Sequence, residues 1–568
     1  MKSLLAALSL AVGIGVVFLI PSQGAGAVAL CILLSLVVGG ILSQTKTDKV
    51  FLLQIFVGGL LARVIVGSLI FYFNVQSFFG GDAFSYDFLG ATILTVWEGE
   101  LQASIFNSML GAFLNRNWGM IYVVGAIYSV LGRNMLAVQF FSAVLGAATA
   151  PIIYFCAQHI FQNSRVARLS AYAVAFFPSM ILWSAQGLKD GPLVFLLAIS
   201  MLATLKLGEK LNVKYLVVLA AALFCIFTLR FYVFYMMVAS IAGAFAIGLS
   251  KMSAQSIVRQ FIIVIFIGLA MIQLGVLNSA RGQFEDYANL EAIQRSRLDL
   301  AKSGQSGFGQ DVDVSTTSGA LAVIPLGMVY LLFAPFPWQL ASLRQVITLP
   351  EMLIWWSSFP LLMMGLWFTL KYRIRQALPI LIFTTMLTIA YSVFQGNVGT
   401  AYRQRSQLLI FYFIFVSVGY ALVKERKEDK RRQEKSVQVL ERQSARSRTI
   451  PVRARSAQEK RWIWEEQKSL ELGRRKLLDP VRGQAYAEFR DSMRDYFLEH
   501  PAATEEDFER CWPELRDRVF RQQTHAALSR LPAPLHVLLS NGHRRRREIG
   551  EFTEGLVLTG NGTSHKHE

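Results

Sequence analysis

The stretch VFLLQIFVGGLLARVIVGSLIFYF at residues 50–73 is followed by the acidic stretch GGDAFSYD at residues 80–87. The first stretch is apolar and exceeds the roughly 20 residues that an α-helix needs to cross the hydrocarbon core of a bilayer. A carboxylate beside such a helix is costly to keep unless it is solvated or used. The function of the chain therefore depends on the side of the membrane on which Asp82 and Asp87 lie, and on the cations that lie there with them.

The composition is that of a membrane protein rather than a soluble globule. Of 568 residues, 54% are hydrophobic, and the mean hydropathy is +0.42. Apolar runs recur from residue 3 to residue 423, and from Lys424 onward Arg, Lys, Glu and Gln dominate. We predict a polytopic membrane domain at residues 1–423 and a polar tail. The net charge of +18 is concentrated in loops and tail, as orientation in a membrane requires, so no nucleic-acid partner is inferred.

The apolar runs predict an all-α fold with about 12 transmembrane helices. The predicted spans lie at residues 3–20, 25–42, 50–73, 135–158, 169–184, 191–207, 213–229, 231–249, 257–277, 351–370, 377–394 and 407–423. Two further runs are ambiguous. Residues 119–131 are short for a span, and residues 319–337 contain three prolines that interrupt a helix.

Basic residues decide how the ambiguous runs are placed. If both crossed the membrane, three successive basic loops would lie outside, against the positive-inside rule. These loops contain Arg165 and Arg168, then Lys206, Lys210 and Lys214, then Lys251 and Arg259. If both runs are half-depth or surface helices, these loops and both termini are cytoplasmic. We adopt this topology for a bacterial inner membrane. It leaves outside the segments 74–134, 184–190, 278–350 and 395–406 and the turn at Arg230.

Four cations are then predicted on the outer face, where basic residues are disfavoured. They are Lys189, Arg230, Arg403 and Arg405. A guanidinium offers a planar fork of donors that matches phosphate. We therefore predict a site for the phosphate of a lipid. The alternative is that these side chains snorkel to lipid headgroups.

The two outer carboxylates are candidate catalytic residues. An Asp in a water-accessible cleft can remove the proton of a group that attacks an activated sugar. A carboxylate also stabilises the cationic transition state at an anomeric carbon, and cations stabilise a phosphate leaving group. The alternative is that Asp82 and Asp87 cap a helix beginning near Phe88. Asp82 lies further from that start and is the preferred base.

The sequence predicts no metal site. Its four cysteines are scattered, and its seven histidines lie in the tail or, for His159, at a predicted cytoplasmic helix end. The polar segment 278–318 is predicted to be a solvated loop, lid or acceptor-binding segment. Within this segment, Asp311 and Asp313 are candidate ligands of a divalent cation, although two carboxylates fall short of a full oxygen shell.

Four short motifs carry a family resemblance over roughly residues 50–423. They are GGDAFSYD, PSMILWSAQGLKD at 178–190, FAPFPW at 333–338 and TAYRQRSQLLIF at 400–411. With them the chain resembles the GT-C class of membrane glycosyltransferases, of the dolichyl-phosphate-mannose-protein mannosyltransferase type.

The resemblance implies roles for particular residues. Asp82 is the implied base, and Arg403 or Arg405 the implied phosphate ligand, with Arg230 and Lys189 as further ligands. It also implies transfer of a hexose or pentose from a polyprenyl-phosphate-linked sugar to a glycan, lipid or protein acceptor.

Two other functions compete with this prediction. A polymerase or ligase of lipid-linked glycans also uses many spans and outer arginines, but the outer-loop histidine of such ligases is missing. A flippase is expected to carry charges within its spans and to have related halves. Arg63 is the main charge within a predicted span, and no repeated halves are visible.

The tail divides by composition. Residues 424–462 predict a basic linker that contacts anionic lipid, and residues 463–530 a small helical module for a cytoplasmic protein partner. Residues 531–568 are predicted to be disordered.

Overall fold

The computed structural model describes residues 2–79, 81–114, 118–248, 289–303, 306–309, 312–340 and 342–446, with separate positions between 263 and 276. Regular structure in these residues is helical, apart from an isolated bridge between Gly307 and Asn397. The predicted all-α class is confirmed. The helices are α1 (Lys2–Leu19), α2 (Gly24–Ser43), α3 (Lys49–Tyr72), α4 (Gln76–Phe79), α5 (Asp82–Trp97), α6 (Ala103–Leu114), α7 (Gly119–Leu131), α8 (Met135–Phe161), α9 (Ser164–Phe176), α10 (Pro178–Ser184), α11 (Asp190–Glu209), α12 (Val213–Leu229), α13 (Phe231–Ile247), α14 (Leu290–Ser303), α15 (Thr317–Phe333), α16 (Leu343–Tyr372), α17 (Ile374–Phe394), α18 (Val398–Gln404) and α19 (Ser406–Arg446).

Seven of the described helices are long and apolar enough to cross a membrane, or eight if the bent pair α9–α10 is one span. They confirm a polytopic membrane protein. The shorter apolar helices α1, α7, α12, α13 and α15 fall below that length. Each predicted span has a helix at its position except 257–277, which lies almost entirely outside the described residues. The count of about 12 spans stays a prediction.

Helix α8 is the central helix of the bundle. It packs against α2, α3, α9 and α11 and is buried along most of its length. Its small residues include Gly146, Ala147 and Ala150, and small residues allow neighbouring membrane helices to approach closely. At Gly146 an added Cβ would collide with Ser184 and crowd Arg63. The close approach of α3, α8 and α10 therefore depends on this glycine.

Polar contacts tie the helices together at two opposite ends of the bundle. At one end, Asp48 before α3 accepts hydrogen bonds from Tyr154 of α8 (2.7 Å) and Arg168 of α9 (2.6 Å). At the other end, Gln139 of α8 donates to Gln76 (2.9 Å), which donates to Gln186 after α10 (3.1 Å). The first group lies at helix ends predicted to be cytoplasmic, and the second at helix ends predicted to be outside.

Helix α7 supports the surface placement predicted for residues 119–131. Its 13 residues extend about 20 Å, less than the roughly 30 Å of the hydrocarbon core. Its first residue, Gly119, packs against Thr228 near the end of α12. Its last turn leads to Asn134, which caps the start of α8. Both ends of α7 therefore lie at the same end of the bundle.

The end of the chain is described only through Arg446. Internal contacts divide the chain into the units Met1–Ala421 and Leu422–Glu568. Helix α19 continues past its apolar part into residues 424–446 of the predicted linker. The predicted helical module at 463–530 and the predicted disordered end at 531–568 lie outside the described residues, so these domain assignments stay predictions.

Candidate active site at one end of the bundle

Asp190 is a buried carboxylate at the start of α11. Its residue is only 1% exposed, and a buried charge is strongly destabilising unless it is paired. Two arginines supply the pairing. Arg403 of α18 approaches Asp190 Oδ2 through Nε (2.7 Å) and Nη2 (2.6 Å), and Arg230 places Nη2 at 3.4 Å from Asp190 Oδ1. Asp190 therefore joins two segments that lie far apart in the sequence.

Arg403 joins Asp190 to Asp82. Its Nη1 donates a hydrogen bond of 2.6 Å to Asp82 Oδ2. The side chain of Asp82 is 55% exposed, whereas that of Arg403 is 14% exposed. The bridge therefore runs from a buried carboxylate to one that is open to the surroundings.

Helix α5 begins earlier than the sequence predicted. It starts at Asp82 rather than near Phe88, so Asp82 lies in its first turn and Asp87 in its interior. A carboxylate in the first turn interacts favourably with the positive end of the helix dipole. The N-cap role considered for Asp87 is therefore not the observed one.

Arg230 lies between α12 and α13 and contacts two tyrosines as well as Asp190. Its Nη1 donates to the hydroxyl of Tyr232 (3.2 Å) and to that of Tyr391 on α17 (3.4 Å). The hydroxyl of Tyr391 in turn donates to Oε1 of Gln407 on α19 (2.9 Å). This network fixes Arg230 relative to the last helices of the bundle.

Lys189 precedes Asp190 and is partly buried. Burial, with the charge of Arg230 as a second cause, lowers the pKa of Lys189 to about 7. For Arg403, burial by itself lowers the pKa, but the carboxylates of Asp190 and Asp82 outweigh it and raise the pKa above its usual value. We name Asp82, Lys189, Asp190, Arg230 and Arg403 the charge cluster.

Aromatic residues pack against the Arg403 guanidinium of the charge cluster. The Arg403 guanidinium lies 5.7 Å from the ring centroid of Trp183, within the range of a cation–π interaction. The Trp183 ring lies 6.2 Å from that of Tyr402. The Tyr402 hydroxyl donates to Oε2 of the buried Glu351 on α16 (2.9 Å). Two helices besides α18 therefore help to orient Arg403.

The structure brings together four of the predicted site residues: Asp82, Lys189, Arg230 and Arg403. Sequence reasoning assigned no role to Asp190, Trp183 or Glu351. For Asp190 a signal was present, because a carboxylate directly follows Lys189 at the start of an apolar run. For Glu351 only its place at the start of a predicted span was visible.

Arg405 and Asp87 lie elsewhere. Fully buried Arg405 donates to the carbonyl oxygens of Leu331 (2.6 Å) and Ala334 and so holds the end of α15. Asp87 accepts hydrogen bonds of 2.5 Å from Tyr128 and Arg133 and so ties α5 to α7 and the turn after it. The described contacts place neither in the charge cluster. The predicted roles of Arg405 in phosphate binding and of Asp87 in catalysis are therefore without geometric support.

In the described part of the chain, no three His, Cys, Asp or Glu side chains lie close enough together to hold a metal ion. Asp311, one of the two carboxylates considered for a divalent cation, lies outside that part. The divalent cation considered for this segment therefore stays a prediction.

Part of this chain matches a known protein family. Residues 118–275 match the family described as dolichyl-phosphate-mannose-protein mannosyltransferase. This match confirms the resemblance to the GT-C class and indicates a membrane glycosyltransferase. No curated protein matches the chain. Among solved structures, ArnT from Cupriavidus metallidurans bound to undecaprenyl phosphate aligns with a TM-score of 0.34 and 13% identity, over 72% of this chain and 67% of that one.

Proposed function

We propose that the chain transfers a sugar from a polyprenyl-phosphate carrier to an acceptor at the outer face of an inner membrane. The observation that carries this proposal is the convergence of the charge cluster from four separate segments at one end of a membrane bundle. The family match over residues 118–275 supports the same class of donor.

The charge of the cluster favours a phosphodiester donor. With Lys189 protonated, three cations and two carboxylates leave one net positive charge. A sugar joined to a lipid through a single phosphate carries one negative charge, so the bound complex is neutral. A diphosphate-linked glycan, which a polymerase or ligase uses, brings more negative charge than these cations balance. The arginine forks add directional hydrogen bonds to phosphate oxygens.

The geometry suggests a division of roles. Asp82, the exposed carboxylate, accepts the proton of the acceptor hydroxyl as its oxygen forms a bond to the anomeric carbon. The bond from that carbon to the phosphate oxygen breaks, and the phosphate leaves with the electron pair. Arg403, Arg230 and Lys189 stabilise the leaving phosphate. Arg403 pairs with Asp82 in the free protein. A phosphate that takes over the Arg403 donors therefore frees Asp82 to act as the base.

The first prediction concerns Asp82→Asn in the full-length protein, reconstituted in liposomes and supplied with radiolabelled polyprenyl-phosphate sugars. Transfer is expected to fall by roughly 10²- to 10⁴-fold, the usual contribution of a general base. Binding of polyprenyl phosphate is expected to be retained or tightened, because Arg403 loses a competing carboxylate.

Glu98→Gln is the matched control for this experiment. Glu98 is an exposed carboxylate just past the other end of α5, so this variant is expected to transfer normally. Normal transfer by Asp82→Asn would contradict the assignment of the base. Transfer from diphosphate-linked donors alone would instead favour the polymerase or ligase function.

A further inference from the structure

Arg63 is a buried cation in the middle of α3 that the proposed chemistry does not use. Its residue is 1% exposed. Ionisable groups inside a membrane protein usually pair with one another or with backbone carbonyls. Here the hydrogen-bond partners of Arg63 are three carbonyl oxygens and one hydroxyl. They are Gly59 O at 2.8 Å, Ala175 O at 2.8 Å, Val174 O at 3.3 Å and Ser184 Oγ at 2.7 Å.

Two of these carbonyls belong to the break between α9 and α10. The two helices are bent by 53° at this break, and Pro178 is the first residue of α10. Proline has no N–H, so the carbonyl of Val174, four residues earlier, loses its helical donor. The last carbonyls of a helix also carry partial negative charge. Arg63 therefore supplies both the missing donors and a compensating charge at the break.

The hydrogen bond to Ser184 connects Arg63 to the other end of α10 as well. Arg63 Nε donates to Ser184 Oγ, and Ser184 Oγ donates to Met180 O (2.5 Å). Ser184 is the last residue of α10 and is followed by the turn that ends at Lys189 and Asp190. One guanidinium therefore spans the bent segment from its break to the start of this turn.

The residues after the break belong to the charge cluster or touch it. Trp183 lies beneath the Arg403 guanidinium, and Asp190 pairs with both arginines of the cluster. The turn is held on its other side by Gln76, which donates to Gln186. The turn also packs through Ala185 against Gly67 of α3, and Leu188 accepts a hydrogen bond from Ser142 (3.2 Å), but these contacts lie beyond the break that Arg63 holds.

We propose that Arg63 is a positioning residue that clamps the bent α9–α10 segment and thereby holds Trp183, Lys189 and Asp190 in the charge cluster. In its catalytic consequence this inference rests on the proposed function, whereas its structural consequence does not. A substrate path through the bundle at Arg63 does not fit its burial or its complement of protein hydrogen bonds.

The test compares Arg63→Met with Arg63→Lys in the full-length protein in lipid nanodiscs. Mass spectrometry would measure the rate at which an acetylating reagent modifies Lys189, and hydrogen exchange would report on residues 178–190. Arg63→Met is expected to accelerate both by at least about tenfold, since a loosened turn opens more often. Arg63→Lys keeps a cationic donor but loses the several donors of the planar guanidinium. Its rates of modification and exchange are expected to lie between those of the parent and Arg63→Met.

Activity supplies the second readout. Arg63→Met is expected to lower kcat/KM by roughly 10²-fold, as a displacement of about 1 Å remote from the reacting atoms can do. Arg168→Met is the matched control, because Arg168 is an arginine of α9 whose contacts lie at the opposite end of the bundle. It is expected to leave Lys189 modification and transfer within about twofold of the parent.

The outcomes separate the inference from the proposed function. Parent-like Lys189 modification and transfer in Arg63→Met would overturn the inference. Accelerated modification together with no transfer by the parent protein would overturn the proposed function and leave the clamp standing. If Arg63→Met does not fold, Ser184→Ala, which removes a single contact of the clamp, is subjected to the same two measurements, and parent-like values would overturn the clamp.

Discussion

At the scale of single residues, the site is organised by a carboxylate rather than by its cations. Asp190 is buried and pairs with Arg403 and Arg230, and removing one partner of such a pair typically costs several kcal/mol. These arginines are therefore held in place before a substrate arrives. Asp82, which is exposed and contacts Arg403 alone among the cluster cations, is the member of the cluster that can change partners.

If the charge cluster binds a phosphodiester as proposed, Lys189 should make that binding depend on pH. Its pKa is about 7 in the free protein, mainly because of burial, and a bound anion raises that pKa. Between these two pKa values, binding takes up a proton. The affinity should therefore be constant below about pH 7 and fall above it, by at most tenfold per pH unit.

A fluorescence titration with a short-chain polyprenyl phosphodiester over about pH 6 to 9 measures this dependence, because a phosphodiester does not titrate in that range. Lys189→Arg is the matched variant, since arginine stays charged throughout. It is expected to abolish the slope. An equal slope in the parent and in Lys189→Arg would exclude Lys189 as its source.

At the scale of secondary-structure elements, α18 is short and depends on its cap. The Asn397 side chain accepts hydrogen bonds from Gly399 N (2.8 Å) and Thr400 N (3.3 Å). It also accepts one from Ser306 Oγ (3.2 Å) and donates one to Leu300 O (3.2 Å). Leu300 of α14 and Ser306, which follows it, therefore contact the beginning of the helix that carries Arg403. These two contacts help to order α18.

Asn397→Ala should lower the free energy of unfolding by about 1 kcal/mol, the usual effect of losing a helix N-cap. It should also raise the KM for the donor, because α18 positions Arg403.

Asn212→Ala is the matched control, since Asn212 caps α12 at the opposite end of the bundle. It should destabilise the protein similarly and leave KM unchanged. Thermal denaturation and transfer kinetics measure the two effects, and equal KM changes in both variants would contradict the positioning role of the cap.

At the scale of the whole molecule, the two polar ends of the bundle agree with the topology predicted from basic residues. The contacts of Asp48 with Tyr154 and Arg168 lie at one end, and the charge cluster lies at the other. Helix α7 begins and ends at the cluster end, so it does not change the side on which the following helices lie.

Cysteine labelling tests this topology directly. In a background without the four native cysteines, Glu98→Cys should react with a membrane-impermeant maleimide added outside intact cells. Lys210→Cys, exposed after α11, should react only after the membrane is opened. Labelling of both from the same side would contradict the predicted arrangement. Arg405→Cys is a poor reporter, because position 405 is fully buried.

The sequence by itself determined the positions of the described spans. It also predicted a surface placement for residues 119–131 and a gathering of several charges at one membrane face. Hydropathy and charge are local properties, so a chain read in order reveals them. Tertiary structure alone decided which charges meet. Arg403 lies 213 residues from Asp190 and 321 from Asp82 along the chain, and the packing of intervening helices brings them together. The same packing kept Arg405, two residues from Arg403, out of the cluster, because successive helical side chains point in different directions.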